Sequence, residues 1–296
     1  MSDEENFLKA AKIAVTVKKS AKKFIKAGMP LLEIAERMEQ EIVNLGGMPA
    51  FPVGLSINDI AAHYSPLRND TKLAEGLLKV DFGAAVDGFP VDNAFSLDLT
   101  EDKRYGELVR ASQEALDNAL KIVKKDLEVR EIGKEIENVI RSMGFKPIKN
   151  LYGHSIKRYN LHAGFSIPNY DNNNKAKFEN GVYAIEPFAS TGDGQVKEGK
   201  GSEIMMLVDK KPTRDLSSRR ILDFIEREYK NLPFAARWIT KRFGSISFMA
   251  LQRLEKEGIL YHYPQLIESS GGIVSQAEHS VLIMNDKIKV LTLEED

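Results

Sequence analysis

The 296-residue chain contains no cysteine, which excludes disulfides, zinc-finger ligand spacing and a thiol nucleophile. It lacks a charge imbalance. Its 42 Lys and Arg stand against 43 Asp and Glu, a formal net charge of -1 that argues against a general nucleic-acid-binding or membrane-surface protein. It lacks a long apolar run as well. Nothing approaches the roughly 18 residues of a membrane span, and the opening MSDEENFLKAAK is acidic and amphipathic instead of signal-like. These absences make a cytoplasmic location the expectation. What is present is a globular composition, 43% hydrophobic and 29% charged, in a chain long enough for one large or two ordinary domains. High charge without cysteine also fits a heat-adapted protein.

Five ionisable residues stand out against this background. Asp81, Asp92, His154, Glu186 and Glu278 sit in VDFGAAVDGFPVDNAF, LYGHSI, GVYAIEPFAS and IVSQAEHSVLIM, apolar and β-branched stretches where unpaired charge should not survive. An isolated buried carboxylate is costly, whereas one that ligates a divalent metal is not. Four carboxylates and one imidazole suit a pair of hard-to-borderline cations. Taken singly, Asp81 or Asp92 would pass for an ordinary strand-end charge; the five together would not.

Geometry relates the first two. If Asp87 and Gly88 form a two-residue hairpin turn, Asp81 pairs with Ala94 and Asp92 is its diagonal neighbour on the same face. Diagonal neighbours lie about 7–8 Å apart, so both carboxylates can reach metals separated by about 3.5–4 Å. A bulge or longer turn would shift that register.

Helical periodicity runs from about Asp3 to Ala27 and through LLEIAERMEQEIVNL, with stop signals at Gly28, Pro30 and Gly46-Gly47. A hairpin then follows over GLLKVDFGAAVDGFPVDNAFSLDL. Two more helices are expected over 103–126 and 130–143, and more strand in NGVYAIEPFAS and SEIMMLVD. Helix, helix, hairpin thus recurs in about 1–100 and 101–208, and a site is expected at the junction of the halves. Residues 209–262 differ: 12 Lys or Arg against 7 Asp or Glu, where the remaining chain carries 30 against 36. This segment is helical in pattern, and FGSISFMALQRLEKEGILYHYPQL resembles the helix-and-wing end of a winged-helix module. A solvated helical face accounts for its charge without nucleic-acid recognition.

At these residues the chain resembles the methionine aminopeptidases, specifically the archaeal short form of type 2. FPVGLSINDIAAHYSP, DFGAAVDGFPVDNA, GHSIKRYNLHAG, YAIEPFAS, LPFAARWI and AEHSVLI occur in the family's order, over nearly the whole length. The resemblance implies an α/β (α+β) pita-bread fold, a pseudo-two-fold curved antiparallel sheet flanked by helices. Residues 1–208 and 263–296 would form the catalytic domain, with 209–262 the inserted helical subdomain of type 2 enzymes. It also implies two divalent metal ions, cobalt, manganese, iron or zinc. Asp81 would chelate one, Asp92 and Glu278 would bridge both, and His154 and Glu186 would complete the other. A metal-bridging hydroxide would attack the scissile carbonyl, with Glu186 passing a proton toward the leaving amine.

The same resemblance makes His63 and His162 the two active-site histidines that do not ligate metal, in contact with substrate and transition state. Alone, each would be read as a satisfied or surface histidine. His63 matches the histidine that fumagillin-class epoxides alkylate. Phe51, Leu161, Ile204 and Tyr263 become the apolar pocket for the methionine side chain; otherwise they would be read as core. One departure is visible: Asn93 follows the bridging Asp92, where the family usually has Thr. The implied activity is removal of initiator methionine from nascent chains when the next residue is small. The implied protein is a monomer with the ribosome as a candidate partner and neither membrane nor nucleic acid as one. The alternatives are an X-Pro peptidase of the same fold and a non-catalytic pita-bread protein binding RNA or protein. Loss of ligand residues would mark the latter, and none is lost here.

Overall fold

The computed structural model describes residues 2–285 and 287–294. The first half runs α1 (Asp3–Phe24), α2 (Leu31–Asn44), β1 (Met48–Pro49), β2 (Gly54–Ile57), β3 (Ile60–Ala62), β4 (Leu77–Val86) and β5 (Phe89–Asp98). The second runs α3 (Gly106–Ile122), α4 (Val129–Ser142), β6 (Lys146–Pro147), β7 (Tyr152–Ile156), β8 (Ser166–Pro168), β9 (Gly181–Ile185), β10 (Phe188–Ser190) and β11 (Val196–Leu207). The expected repetition holds for the two helices and for a two-residue strand reached through a positive-φ glycine, Gly46 or Gly144, but not for the second hairpin, because β9 and β11 lie in different sheets.

Local chemistry explains the helices. Ser2 and Glu5 form a capping box at the start of α1, each side chain bonded to the other's backbone N–H. Ala10, Ala14, Val17 and Ala21 then recur along one face and are fully buried; their small size lets the helix lie close on β4 and β5. α1 ends at Phe24, short of Ala27, because Ile25 turns extended and Gly28 N–H bonds instead to the carbonyl of Ala74. α3 likewise begins at Gly106, after Lys103 at φ 52° and Tyr105, whose N–H is taken by Asp98.

Among the described residues the main sheet has nine strands. The order is β1-β4-β5-β15-β9-β7-β8, with β2 also on β4 and β16 also on β15, where β15 is Glu278–Met284 and β16 is Lys287–Val290. Its pairings are antiparallel. Helices α1 and α2 cover the β4–β5 side, and α3 and α4 cover β9 and β15. Asp87 and Gly88 both take positive φ, 50° and 80°, as a type I′ turn requires. The resulting register pairs Asp81 with Ala94 and Gly83 with Asp92, as the sequence predicts. Gly83 admits no side chain: a Cβ there would lie 2.2 Å from the Val91 carbonyl and 2.8 Å from the Phe51 ring.

Residues 209–262 are not helical throughout. They hold α5 (Leu216–Glu228), β12 (Phe234–Ala235), α6 (Ala236–Phe243) and α7 (Ile246–Lys256), and β13 (Leu260–Glu268) begins before the segment ends. β14 (Val274–Gln276) then leads into β15. β12 and β13 both pair with β11, so the segment is hooked to the strand that precedes it. Its own core gathers Ile221, Ile225, Phe234, Ile239, Leu251 and Leu254. Its basic residues are not all solvated. Arg237 is buried, paired with the buried Glu39 of α2 and donating to Ser65 Oγ at 2.8 Å, while Trp238 Nε1 donates to Glu39 at 2.7 Å.

Candidate metal centre

Strand alternation aims the five ligand-type residues at one point. Ala94 on β5 pairs with Asp81 on one side and Glu278 on the other, so these three residues form a row across β4, β5 and β15. A methyl group between the two carboxylates leaves the space between them open. Asp92, two residues before Ala94, shares its face. His154 on β7 pairs with Ala184 of β9, and Glu186 follows two residues after Ala184. His154 Nε2 lies 3.5 Å from Asp92 and 3.7 Å from Glu186. Asp92, His154 and Glu278 offer ligand atoms that all lie within 4.8 Å of one another. Asp81 and Glu186 line the same cavity.

That cavity measures about 350 Å³. It brings together all eleven sequence-predicted site residues: the five above, His63 and His162, and Phe51, Leu161, Ile204 and Tyr263. Among the described residues no lysine or arginine lines it. The Oδ1 atoms of Asp81 and Asp92 and the Oε1 of Glu278 are buried without a hydrogen-bond partner among the described residues. Unpaired buried carboxylate oxygens converging from three strands are what a cation would satisfy, so the donor set fits divalent metal.

The electrostatics follow from that crowding. Burial, then the charge of neighbouring carboxylates, holds Asp81, Glu186 and Glu278 well above the usual carboxylate range. Burial pushes Asp92 up to about 8. Burial also lowers His154 to about 4, keeping its imidazole neutral and able to ligate. His162 packs edge-on against His154, ring centroids 4.3 Å apart, and is lowered by burial and then by His154.

His63 follows β3 in the left-handed region, at φ 65°, a conformation that costs about 1–3 kcal/mol in a non-glycine residue. Its Nδ1 lies 3.2 Å from the Pro264 carbonyl and its ring stands edge-on to Tyr263, centroids 5.3 Å apart. A carbonyl only accepts, so Nδ1 carries the proton and Nε2 keeps its lone pair. At the apolar end Phe51 and Leu161 pack with Leu232 of the 209–262 segment, and Pro233 joins the lining. The Tyr263 hydroxyl donates to Met206 Sδ at 3.4 Å.

Sequence reasoning missed Gln276, whose Nε2 donates to Asp81 Oδ2 at 3.2 Å and fixes that carboxylate. Its signal was its place two residues before Glu278. Asn93 points away from Asp92: it is fully buried on the opposite face, with Nδ2 donating to the Phe82 carbonyl at 2.8 Å. The departure from the family's Thr therefore lies behind the cavity wall.

Residues 5–210 match the metallopeptidase family M24. A methionine aminopeptidase of Pyrococcus horikoshii is 46% identical over 296 residues, covering 98% of this chain and 99% of that one. Among solved structures, a thermophilic Arx1 aligns with a TM-score of 0.81 at 15% identity, covering 97% of this chain and 90% of that one. The methionine aminopeptidase of Thermotoga maritima aligns at 0.69 with 23% identity, covering 97% and 95%. At those identities the two structures speak for the fold alone. Fold and site define a metallopeptidase of α/β pita-bread architecture. The chain belongs to metallopeptidase family M24, and it depends on divalent metal.

Proposed function

We propose that this protein removes the initiator methionine from nascent chains when the next residue is small. The observation that carries the reading is one cavity with a carboxylate-rich end and an apolar end, in a chain matched over 98% of its length by a methionine aminopeptidase. Asp81, Asp92, His154, Glu186 and Glu278 would hold two divalent ions, cobalt, manganese, iron or zinc. Bound there, such ions supply Lewis-acid polarisation of the scissile carbonyl and acidify water near neutral pH.

The chain's own side chains do the rest. Glu186, at the carboxylate end of the cavity, would take a proton from the attacking water and return it to the leaving amine. His63 and His162, kept neutral by burial, hydrogen-bond the substrate at the scissile bond. Phe51, Leu161, Ile204 and Tyr263 take the methionine side chain; burying it stabilises the complex by about 1.5–3 kcal/mol. The 209–262 segment, as an inserted subdomain, closes this end through Leu232 and Pro233. The protein acts as a cytoplasmic monomer, with the ribosome as candidate partner. The test is hydrolysis of Met-Ala-Ser against an X-Pro peptide by chelator-stripped protein before and after metal is restored. Metal-dependent release of methionine is expected. Cleavage of the X-Pro peptide alone, or full turnover without metal, would overturn the reading.

A further inference from the structure

The edge of β15 changes partner in the middle of the metal centre. Glu278 and His279 pair with Ala94 and Asn93 of β5, whereas Val281 through Met284 pair with β16. At Ser280, between the two, the ladder is completed by side chains. Ser280 Oγ accepts from the Asp92 N–H and donates to the Asp92 carbonyl, both at 2.8 Å, so the backbone of a ligand-type residue hangs on one hydroxyl. The N–H of Ser280 is in turn taken by Thr292 Oγ1 at 3.1 Å.

Thr292 lies beyond β16 and is fully buried, between the half-exposed Leu293 and the Leu291 N–H, which donates to the Ser280 carbonyl at 2.8 Å. Its hydroxyl accepts from the Ser280 N–H and shares a hydrogen bond with Nδ1 of His279, 2.8 Å away. One hydroxyl thereby fixes both residues that follow Glu278. Nearby, Glu294 pairs with Lys22 of α1 and anchors the same tail at the surface.

We propose that Thr292 is a positioning residue for the metal centre: through Ser280 and His279 it sets the separation of Asp92 from Glu278. Nothing in its local sequence marks it, since it touches no ligand-type side chain and faces away from the cavity. The inference rests on reading Asp92 and Glu278 as metal ligands. Residues that orient ligands in this indirect way typically affect metal affinity by about 10–100-fold.

The experiment titrates manganese(II) calorimetrically into chelator-stripped, full-length protein and records the absorption of its cobalt(II) form. Thr292→Val, isosteric but without the hydroxyl, is expected to bind manganese at least about 10-fold more weakly and to shift the cobalt bands. Thr292→Ser restores both. Lys22→Ala, which removes the Glu294 ion pair and a cation–π contact with Phe95 but keeps the Thr292 hydrogen bonds, leaves both unchanged. If Thr292→Val does not fold, Thr292→Cys must show the same loss in weaker form. Wild-type affinity in whichever variant folds overturns the proposal, as does an equal loss in Lys22→Ala. Asp92→Asn separates the two failures. If it abolishes binding while Thr292→Val is silent, only the positioning role falls; if Asp92→Asn itself binds normally, the ligand reading falls with it.

Discussion

Asp92→Asn should stabilise the metal-free protein while destroying its ability to hold metal. Asp92 is 4% exposed, and its Oδ1 has no hydrogen-bond partner among the described residues. Its pKa rises from 3.8 to about 8 because burial penalises the charged form. An acid raised on folding contributes stability that is fully present below its unfolded pKa and is lost as pH rises through the folded value. The window is therefore pH 4 to 8, with a slope of about 1.4 kcal/mol per pH unit for one proton. Four carboxylates share the field and titrate as a cluster, so removal of one charge relieves part of that range, about 1–3 kcal/mol at pH 8. A protonated carboxyl and an amide are alike in size and polarity, so little else changes in the folded state near pH 4.

Scanning calorimetry of chelator-stripped wild type and Asp92→Asn at pH 5 and pH 8 reads this out. Burial lowers the cavity histidines, so their contribution runs the other way: it is complete above 6.5 and is lost as pH falls. It is nearly the same in both proteins, because Asp92, raised to about 8, is uncharged beside His154 in the folded wild type where the histidines titrate. The variant should unfold about 2–6 °C above wild type at pH 8, with the gap closing toward pH 5. Saturating manganese reverses the order, because ligand at 100 times its dissociation constant stabilises wild type by about 2.7 kcal/mol. A variant less stable than wild type at pH 8 without metal would refute the claim that this cluster is held together against its own repulsion.

Glu186→Gln should lower kcat at least about 100-fold with little change in KM, as expected for a lost proton carrier; an unchanged kcat with a raised KM would reassign Glu186 to substrate binding. His63, with Nδ1 committed to Pro264 and Nε2 unprotonated, should be alkylated by a fumagillin-class epoxide. Peptide mass spectrometry should map one adduct to His63 and find none in His63→Ala, and an adduct on His154 or His162 would contradict the assignment.

What could be read in advance divides along sequence distance. Asp81 and Asp92 were related from the chain alone because an Asp-Gly turn fixes the register of everything paired beside it. Glu278 was legible as a misplaced charge. Its position across Ala94 was not, since that depends on the order β4-β5-β15, which joins segments some 180 residues apart and has no local periodicity. Arg237 shows the same limit from the other side: it reads as one more surface cation until Glu39, far away in α2, buries it. The helix ends erred for a similar reason, α1 being cut short by a tertiary bond from Gly28 to Ala74. Charged residues in apolar strands announce themselves because burial makes them expensive. Ser280 and Thr292 do not, because a hydroxyl can satisfy itself almost anywhere along a strand. The ligand set was therefore visible from composition and context, while the hydrogen bonds that hold it in place became visible only where two strands exchange partners.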